Sequence, residues 1–495
     1  MSLKKQAFSG FVWTFTSNLG TKFTTLVVGV ILARLLAPSD FGLIAMLYFF
    51  FEVSRVLVDS GFSQAIIREK EINEEDKSTV FYISLFTAVI CYIALWIGAP
   101  AIARFYEEPQ LTLLTRVMGL NLIFASFTIV QNAVLINELK FKTLGIIAMA
   151  ANVITGLIAL FLAWRGMGVM SLAIRYVLTS LITSILYFAV LTWYPKVFIQ
   201  KRSLKKLFGF GSRVLLLGVM NTFFRNIYNL LIVKIYTPAI LGFYSQANMF
   251  KENASRGLID SLSKVTYPIL SKDRDNRARM KENYRKILQV TSFVVFPSMI
   301  LLAFVAEPMI LALVGEKWRQ SIPLLQILCV AGLVSHIHVV NLNVLKVYAA
   351  GNQYVLQGII KYALTVAGVL VGMQFGLSGL MYGIVVVEYL HLLVNIYLSN
   401  QHLSYTYSEQ GLDLLKVFWL NLPMAGVLWL TSLPEYPAPV FQLLVMTGTG
   451  LVMYILTAHL TNAMAWKYMV ELIQGQLRKR KISTAAETTA HVETA

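Results

Sequence analysis

Long apolar runs separated by short polar joints dominate the 495-residue chain. Fourteen such segments can be distinguished, the first at Phe8–Ala33 and the last at Val440–Leu460. Each approaches the ~20 apolar residues that an α-helix needs to cross a bilayer. The joints carry glycine, proline or charged residues, which end helices. The sequence therefore predicts an all-α integral membrane protein with about 14 transmembrane helices.

The composition indicates the same class of protein. Hydrophobic residues make up 57% of the chain and charged residues 14%, whereas a soluble domain has ~45–50% and ~25%. This balance excludes a soluble enzyme, a disulfide scaffold and a nucleic-acid-binding domain, although the net charge is +17. Cys91 and Cys329 lie inside apolar runs, and we interpret them as small buried hydrophobic residues.

The basic residues predict which helix ends face the cytoplasm. The loops after even-numbered segments, together with both termini, hold 28 Lys and Arg residues, and the other loops hold six. Cytoplasmic loops carry the excess of these residues in membrane proteins. We therefore expect a multi-pass protein with both termini in the cytoplasm and an even number of spans.

The sequence repeats itself at an offset of about 200 residues. The motif S-R-x-L-[VI]-D-S occurs at Ser54–Ser60 and again at Ser255–Ser261. Pro38 and Gly42 also recur 200 residues later. Segments 1–6 thus correspond to segments 7–12, and an even number of helices per repeat gives two lobes of the same sense. Two such lobes around a central cleft can rock against each other, which is the basis of alternating access.

This repeat predicts the organisation of the whole chain. We expect two six-helix lobes in a parallel pseudo-repeat, two extra C-terminal helices and a partly disordered cytoplasmic tail. The predicted parts are an N-terminal lobe (residues 1–195), a cytoplasmic linker (196–206), a C-terminal lobe (207–400), helices 13 and 14 (414–460) and the tail (465–495).

Charged residues also fall inside the predicted helices. Each charge at the bilayer centre costs ~2.5–3.5 kcal/mol on insertion scales, so these residues must be paired, reach the headgroups or line a wet cavity. The cations are Lys22, Arg55, Arg116, Arg175, Arg225, Lys251, Arg256 and Lys361, and the acids are Glu52, Asp59, Glu252, Asp260 and Glu388.

Lys22 and Arg225 are the strongest candidates for a wet cavity, because both fall in mid-helix without an acid within one turn. Arg55 and Asp59 are four residues apart, and so are Arg256 and Asp260, which repeat them in segment 8. Each pair could instead form a structural salt bridge. Arg116 and Arg175 lie near helix ends, where reaching the outer headgroups is an equal alternative.

Cations predominate among the charges near mid-membrane, and a cationic cavity suits an anionic passenger, phosphate above all. The predicted substrate-binding residues are Lys22, Arg55, Arg225, Lys251 and Arg256. The acids that could couple transport to H⁺ or Na⁺ are Glu52, Asp59, Asp260 and Glu388.

Three motifs resemble the polysaccharide transporter family of the MOP exporter superfamily. They are ARLLAPSDFGLIAM at Ala33–Met46, DSGFSQAIIR at Asp59–Arg68 and GFYSQA at Gly242–Ala247. Together with the predicted helices and the six-plus-six repeat, they make the chain similar to Wzx-type oligosaccharide flippases such as the colanic and teichuronic acid exporters. The resemblance covers about residues 1–460.

The resemblance implies a fold like that of MATE transporters and the lipid II flippase, with a cationic cavity between helices 1, 2, 7 and 8. It implies a flippase that moves an undecaprenyl-pyrophosphate-linked oligosaccharide across the membrane by alternating access. Lys22, Arg55 and Arg256 lie on helices that carry basic residues in the lipid II flippase, and Lys251 is a further candidate to hold the pyrophosphate. Lys rather than Arg at position 22 departs from that pattern.

From the same resemblance we expect the protein in the bacterial cytoplasmic membrane, in exopolysaccharide or lipopolysaccharide biosynthesis. The expected partners are the lipid-linked anionic oligosaccharide, membrane lipid and a glycan polymerase or assembly protein, with no nucleic acid. We expect a monomer without a cofactor. Helices 13 and 14 correspond to the pair that forms a lipid-tail groove in the lipid II flippase.

Other functions find less support in the sequence. A multidrug exporter of the same fold is the main alternative, and a membrane-embedded glycan polymerase or transferase is a further one. No metal site is expected, since the six histidines do not cluster in the sequence. His336 and His338 are two positions apart on a predicted helix and therefore face different sides.

Overall fold

The computed structural model describes residues 20–69, 72–191, 193–196, 200–348 and 351–467. The side chains of residues 201, 205–210, 212–214, 217, 233, 256–265, 268–269 and 351 lie outside this description. The described residues form helices and connecting turns, and no β-strand occurs among them. The predicted all-α fold class is therefore confirmed for the described part of the chain.

Nineteen helices follow one another along the described residues, with short 3₁₀ turns at Glu316–Trp318 and Met373–Phe375. They are α1 (residues 20–35), α2 (Pro38–Asp59), α3 (Phe62–Arg68), α4 (Glu74–Tyr106), α5 (Gln110–Ser126), α6 (Ile129–Asn137), α7 (Phe141–Trp164), α8 (Val169–Val190), α9 (Lys201–Ile235), α10 (Pro238–Lys272), α11 (Arg277–Phe304), α12 (Ala306–Leu313), α13 (Ser321–Gly332), α14 (Ser335–Val347), α15 (Gly351–Gly372), α16 (Gly376–Leu403), α17 (Tyr407–Trp419), α18 (Leu422–Ser432) and α19 (Pro439–Leu460).

Ten segments of the described chain are long and apolar enough to cross a membrane. One of them, Asn352–Leu403, contains both α15 and α16. Ten candidate spans make the chain a multi-pass membrane protein, whereas the exact count of fourteen stays a prediction.

Some predicted segments contain a break that hydrophobicity does not reveal. The predicted second segment divides into α2 and α3 at Ser60 and Gly61, whose φ angles are 46° and 71°. Two successive residues in the left-handed region end a helix, and glycine adopts this conformation without steric cost. The predicted tenth segment likewise divides into α13 and α14.

The described residues fold into two compact units. Unit 1 comprises Met1–Gln246 and Leu313–Trp318, and unit 2 comprises Ala247–Ala312 and Arg319–Ala495. In unit 1, α4 packs along α5, α8 packs against α5 and α7, and α9 packs against α2. In unit 2, α15 packs along α16, α18 along α19, and α11 against α13, α14 and α17. The lobe boundaries inferred from the repeat stay a prediction.

The repeated Pro-x-x-x-Gly sequence forms a symmetric crossing inside unit 1. A Cβ atom on Gly42 would stand 1.8 Å from the carbonyl oxygen of Pro238, and one on Gly242 would stand 1.9 Å from that of Pro38. Only a residue without a Cβ permits this approach of two backbones. The two copies of the motif therefore contact each other at the first turns of α2 and α10.

The segment Leu313–Trp318 packs beside this crossing, and its side chains donate hydrogen bonds to the C-terminal end of α1. The Trp318 Nε1 donates a hydrogen bond to the Ala33 carbonyl oxygen at 2.8 Å, and Lys317 Nζ donates to two further carbonyl groups at 2.8 and 2.5 Å. The last carbonyl groups of a helix lack partners within the helix, and these donors supply them. The buried Trp318 ring meets Phe41 and Phe243 edge to face.

In unit 2, glycines bring α15 and α16 together. A Cβ atom on Gly379 would stand 2.4 Å from the carbonyl oxygen of Gly372, and one on Gly383 would stand 2.8 Å from that of Gly368. Small residues four positions apart allow this close packing between helices in membranes.

Alanine at either glycine of the α2–α10 crossing is expected to destabilise the protein. Gly42→Ala and Gly242→Ala should each lower the free energy of unfolding by about 1–3 kcal/mol, because the added methyl group forces the two backbones apart. Thermal unfolding of the detergent-purified protein measures this effect. Gly448→Ala in α19 is the control, since nothing lies within 4 Å of a Cβ there. Equal unfolding temperatures for all three variants would show that the crossing tolerates side chains.

Candidate functional site

One face of α2 carries the charged residues of the first repeat. Tyr48, Glu52, Arg55 and Asp59 follow one another at steps of four, three and four residues, which places them on the same side of the helix. Glu52 and Asp59 are half-buried and Arg55 is exposed, whereas Val58 belongs to the buried core. The helix thus turns its apolar side to the core and its charges to a more open side.

Glu52 is held by two donors from α9. Its Oε2 accepts a hydrogen bond from Arg225 Nη2 at 2.7 Å and another from Asn226 Nδ2 at 2.8 Å. Asn226 is buried, and its amide group also donates to the Thr222 carbonyl oxygen at 2.9 Å and accepts from Asn229 at 3.3 Å. These contacts fix the Glu52 carboxylate in place, so Arg225 has an acidic partner that lies 173 residues away in sequence.

The Glu52–Arg225 pair remains accessible. The Glu52 side chain is 38% exposed and that of Arg225 is 56% exposed. An exposed ion pair contributes only about 0–1 kcal/mol to stability, because water solvates both charges. A stronger anion can therefore replace Glu52 as the partner of Arg225 without a large loss of folding free energy.

Arg55 and Asp59 do not form the salt bridge that their spacing allows. Asp59 Oδ1 instead accepts a hydrogen bond from the Ser63 backbone N–H at 3.2 Å. This contact satisfies a donor in the first turn of α3. Among the described residues, no acid lies within ion-pair distance of Arg55.

A second polar group joins α1, α7 and α8. Asn152 Oδ1 accepts hydrogen bonds from Arg175 Nη2 at 3.3 Å and from Thr25 Oγ1 at 3.4 Å. Arg175 is half-buried in this contact. Lys22 lies one turn before Thr25, and its half-buried side chain forms no ion pair or hydrogen bond within the described part of the chain.

Unit 1 therefore has more positive than negative charges among the side chains described on α1, α2, α8 and α9. The named cations are Lys22, Arg55, Arg175 and Arg225, and the named acids are Glu52 and Asp59. Such an excess in a low-dielectric surrounding attracts an anion. Arg175 is not one of the predicted ligands, because its place near a helix end makes headgroup contact an equal alternative, and the structure instead places it beside Asn152.

In unit 2, Lys251 is the described member of the predicted basic set. Its Nζ lies 2.8 Å from a carboxylate oxygen of the adjacent Glu252, and its side chain is 17% exposed. Arg256 and Asp260 lie on α10, but their side chains are outside the described residues. Their predicted roles in substrate binding and ion coupling stay predictions.

Glu388 has neighbours that the sequence did not suggest. Its Oε2 lies 3.0 Å from His338 Nε2, and its Oε1 lies 3.9 Å from Lys361 Nζ. The His338 and His391 rings stack with their centres 4.8 Å apart. The fold thus brings together two histidines that are 53 positions apart in the sequence and come from α14 and α16.

An ion pair with a buried carboxylate elsewhere in unit 2 illustrates a purely structural arrangement. Asp413 accepts two hydrogen bonds from Arg285, at 2.7 and 2.9 Å, and one from the Tyr405 hydroxyl at 2.5 Å. The Asp413 side chain is 2% exposed, so its oxygens are already satisfied and no ligand can reach them.

Sequence comparison places the chain among proteins of polysaccharide biosynthesis. A family described as "Polysaccharide biosynthesis protein" matches residues 31–323. The chain is 26% identical to the teichuronic acid biosynthesis protein TuaB of Bacillus subtilis over 336 residues, which cover 67% of this chain and 69% of that protein. It is 23% identical to the lipopolysaccharide biosynthesis protein WzxC of Escherichia coli over 427 residues, with 86% and 87% coverage. The predicted family resemblance is confirmed.

Solved structures show the same fold. The lipid II flippase MurJ in an inward closed conformation superimposes with a TM-score of 0.73 at 16% identity, covering 92% of this chain and 98% of that one. An inward-facing multidrug resistance MATE family transporter of the MOP superfamily gives a TM-score of 0.60 at 16% identity, with 78% and 94% coverage. The predicted MATE- and lipid II flippase-like fold is thus confirmed.

The two kinds of ion pair should respond differently to mutation. Glu52→Gln is expected to change the free energy of unfolding by less than about 1 kcal/mol, because the pair is half-exposed and glutamine can still accept a hydrogen bond. Asp413→Ala should cost about 2–3 kcal/mol, because it leaves the buried Tyr405 hydroxyl without an acceptor. Denaturant unfolding in detergent measures both values. A large loss for Glu52→Gln would mean that Glu52 serves mainly to hold the fold.

Proposed function

Because the chain belongs to the polysaccharide biosynthesis protein family, we propose that it is a flippase for an undecaprenyl-pyrophosphate-linked oligosaccharide. It acts in the bacterial cytoplasmic membrane and supplies the assembly of an exopolysaccharide or another surface polysaccharide. Two relatives are named for teichuronic acid and lipopolysaccharide biosynthesis, and the structural neighbour MurJ is named as a lipid II flippase. These names support a transporter rather than an enzyme.

The substrate class is inferred from one observation, which is that cationic side chains of unit 1 are accessible. Arg225 is held by a half-exposed carboxylate, and Arg55 has no acid within ion-pair distance among the described residues. A pyrophosphate group offers several anionic oxygens on two tetrahedral phosphorus atoms, and a planar guanidinium group binds two such oxygens through paired hydrogen bonds. A cationic drug would meet repulsion on this face, so the multidrug exporter finds less support.

Substrate binding then proceeds as an exchange of partners. In the substrate-free state Glu52 neutralises Arg225, which lowers the cost of holding a guanidinium group in the membrane. The pyrophosphate displaces the Glu52 carboxylate from Arg225, and Lys22 and Arg55 add further positive charge. Glu52 keeps the Asn226 donor, or takes up a proton once Arg225 has moved to the substrate.

Protonation of Glu52 is therefore a candidate step for coupling transport to H⁺. A neutral Glu52 no longer competes for Arg225 and favours the substrate-bound form, whereas an ionised Glu52 favours release. Asp59, Asp260 and Glu388 remain further candidates for H⁺ or Na⁺ coupling. Of these, Asp59 is the weakest, because its carboxylate is used by the α3 backbone.

The remaining parts of the proposal follow from the repeat and the charge distribution. Lys251 and Arg256 complete the basic set from the second repeat, and rocking of the two lobes gives alternating access. Both termini lie in the cytoplasm, and the protein works as a monomer that meets glycan polymerase or assembly proteins at the membrane.

The exposed apolar side chains of α18 and α19 include Trp429, Leu430 and Val452, and such a surface suits the undecaprenyl tail.

Loss of the unit 1 cations should abolish export. In a strain without the endogenous protein, Lys22→Ala, Arg55→Ala and Arg225→Ala should each fail to restore surface polysaccharide and should leave the lipid-linked precursor in the cell. Arg165→Ala is the matched control, because that exposed arginine stacks on Trp164 at the end of α7. Immunoblots must show equal amounts of protein. Normal polysaccharide in all three cation variants would refute the assignment.

If the pyrophosphate replaces Glu52 as the partner of Arg225, substitutions of these two residues should have opposite effects on substrate affinity. Glu52→Gln should bind a polyprenyl pyrophosphate such as farnesyl pyrophosphate more tightly than the wild type, and Arg225→Ala should bind it about tenfold more weakly, which corresponds to ~1.4 kcal/mol. Calorimetry on the detergent-purified protein measures both affinities. Weaker binding by Glu52→Gln would show that Glu52 assists binding instead of competing with it.

A further inference from the structure

Three potential metal ligands converge inside unit 2. His338 comes from α14, and Glu388 and His391 come from α16. One ligand atom of each residue lies within 4.8 Å of the other two. Both histidines are buried, and Glu388 is half-buried. Glu388 and His391 form a Glu-x-x-His sequence on α16, which places both side chains on one face of the helix. The same spacing recurs in metal sites built inside helical bundles.

The His391 imidazole is oriented with one nitrogen free. Its Nε2 lies 3.0 Å from Oε1 of the buried Gln357, an atom that can only accept, so Nε2 carries the hydrogen. The other nitrogen, Nδ1, is then a lone-pair acceptor. It is buried and has no hydrogen-bond partner in the described part of the chain. A buried polar atom without a hydrogen-bond partner destabilises the fold, and a metal ion bound at this nitrogen would remove that cost.

His338 presents the same kind of lone pair only after the Asn395 amide turns over. Its Nδ1 lies 2.9 Å from Asn395 Nδ2, which can only donate, so Nε2 carries the hydrogen and lies 3.0 Å from Glu388 Oε2. The Asn395 Oδ1 is buried without a hydrogen-bond partner in the described part of the chain. Turning that amide over lets its oxygen accept from Nδ1–H, which frees the Nε2 lone pair. Metal-bound histidines are oriented by such contacts at the nitrogen that does not bind the metal.

The geometry suits a tetrahedral ion. Ligands at ~2.0–2.1 Å from Zn²⁺ stand about 3.3 Å apart. The separation of 3.0 Å between His338 Nε2 and Glu388 Oε2 is slightly shorter than this value. One ligand atom of each residue lies within 4.8 Å of the others, and the stacked His391 ring has to rotate before its Nδ1 points to the same ion as His338 Nε2. Two imidazoles and one carboxylate favour Zn²⁺ and similar transition metals over Na⁺ or Mg²⁺, which prefer oxygen ligands.

Lys361 is the charge that a metal ion would displace. Its Nζ lies 3.9 Å from Glu388 Oε1, and its side chain is 41% exposed, which leaves it room to withdraw. Without a metal ion, Lys361 balances the charge of Glu388. With one, the ion takes over this role and joins α14 to α16.

We propose that His338 Nε2, the Glu388 carboxylate and His391 Nδ1 bind one Zn²⁺-class divalent cation, with a fourth position open to water. The site lies within unit 2, and its test measures metal binding rather than transport.

The full-length protein, purified in detergent without a histidine tag, provides the test. After treatment with EDTA and dialysis against Zn²⁺, the wild type should retain one zinc per chain by mass spectrometry and gain thermal stability. Co²⁺ should give the intense visible absorption of a tetrahedral complex. His391→Gln, His338→Gln and Glu388→Gln should each weaken Zn²⁺ binding by at least tenfold.

His402→Gln is the matched control. His402 lies on the same helix, and its Nε2 meets Gln353 Oε1 at 2.6 Å, as His391 meets Gln357, but it is not part of the ligand set. This variant should bind zinc like the wild type. Equal zinc retention by the His391→Gln and His402→Gln variants, or no zinc on the correctly folded wild type, would overturn the proposal. Thermal unfolding in EDTA shows whether each variant is folded before the metal is added.

Discussion

The membrane interior offers no hydrogen-bond partners, and this constraint governs every level of the structure. A backbone that crosses hydrocarbon must satisfy its own N–H and C=O groups, which accounts for a described chain made of helices. Helix ends need donors or acceptors from elsewhere, as Trp318 and Lys317 provide for the last turn of α1. Polar side chains inside the units meet one another for the same reason, as Tyr284 and Ser399 do at the amide oxygen of Asn341.

The same constraint separates two uses of charge. Where the charge only stabilises the fold, as at Asp413, the carboxylate is buried and its acceptors are filled. Where the charge is proposed to act on a substrate, as at Arg225, the pair is accessible and its partner can be exchanged. The structure therefore distinguishes the two roles by exposure and by the number of satisfied hydrogen bonds. Charge and position within the helix cannot separate them.

The internal repeat has a direct physical expression at the crossing of α2 with α10. Two glycines let the backbones meet, and each lies against the proline of the other copy. Such mutual contact constrains both copies at once, since a side chain at either glycine separates both pairs of backbones. This requirement explains why the Pro-x-x-x-Gly pattern recurs at a constant offset while the surrounding residues differ.

The sequence alone is enough to predict the class of the protein, the helical fold, the repeat and the family, because these depend on long apolar runs and on motifs that are local in the chain. It also identified Glu52, Arg225 and Glu388 as unusual, because charge in an apolar run is costly wherever the chain places it. Which residues contact each other is visible only in the folded protein. Glu52 and Arg225 are 173 positions apart, His338 and His391 come from different helices, and Asp59 bonds to a backbone rather than to Arg55. Such pairings depend on how helices are rotated and packed, and a helical period in sequence gives the face of each helix but not the neighbour that the face meets.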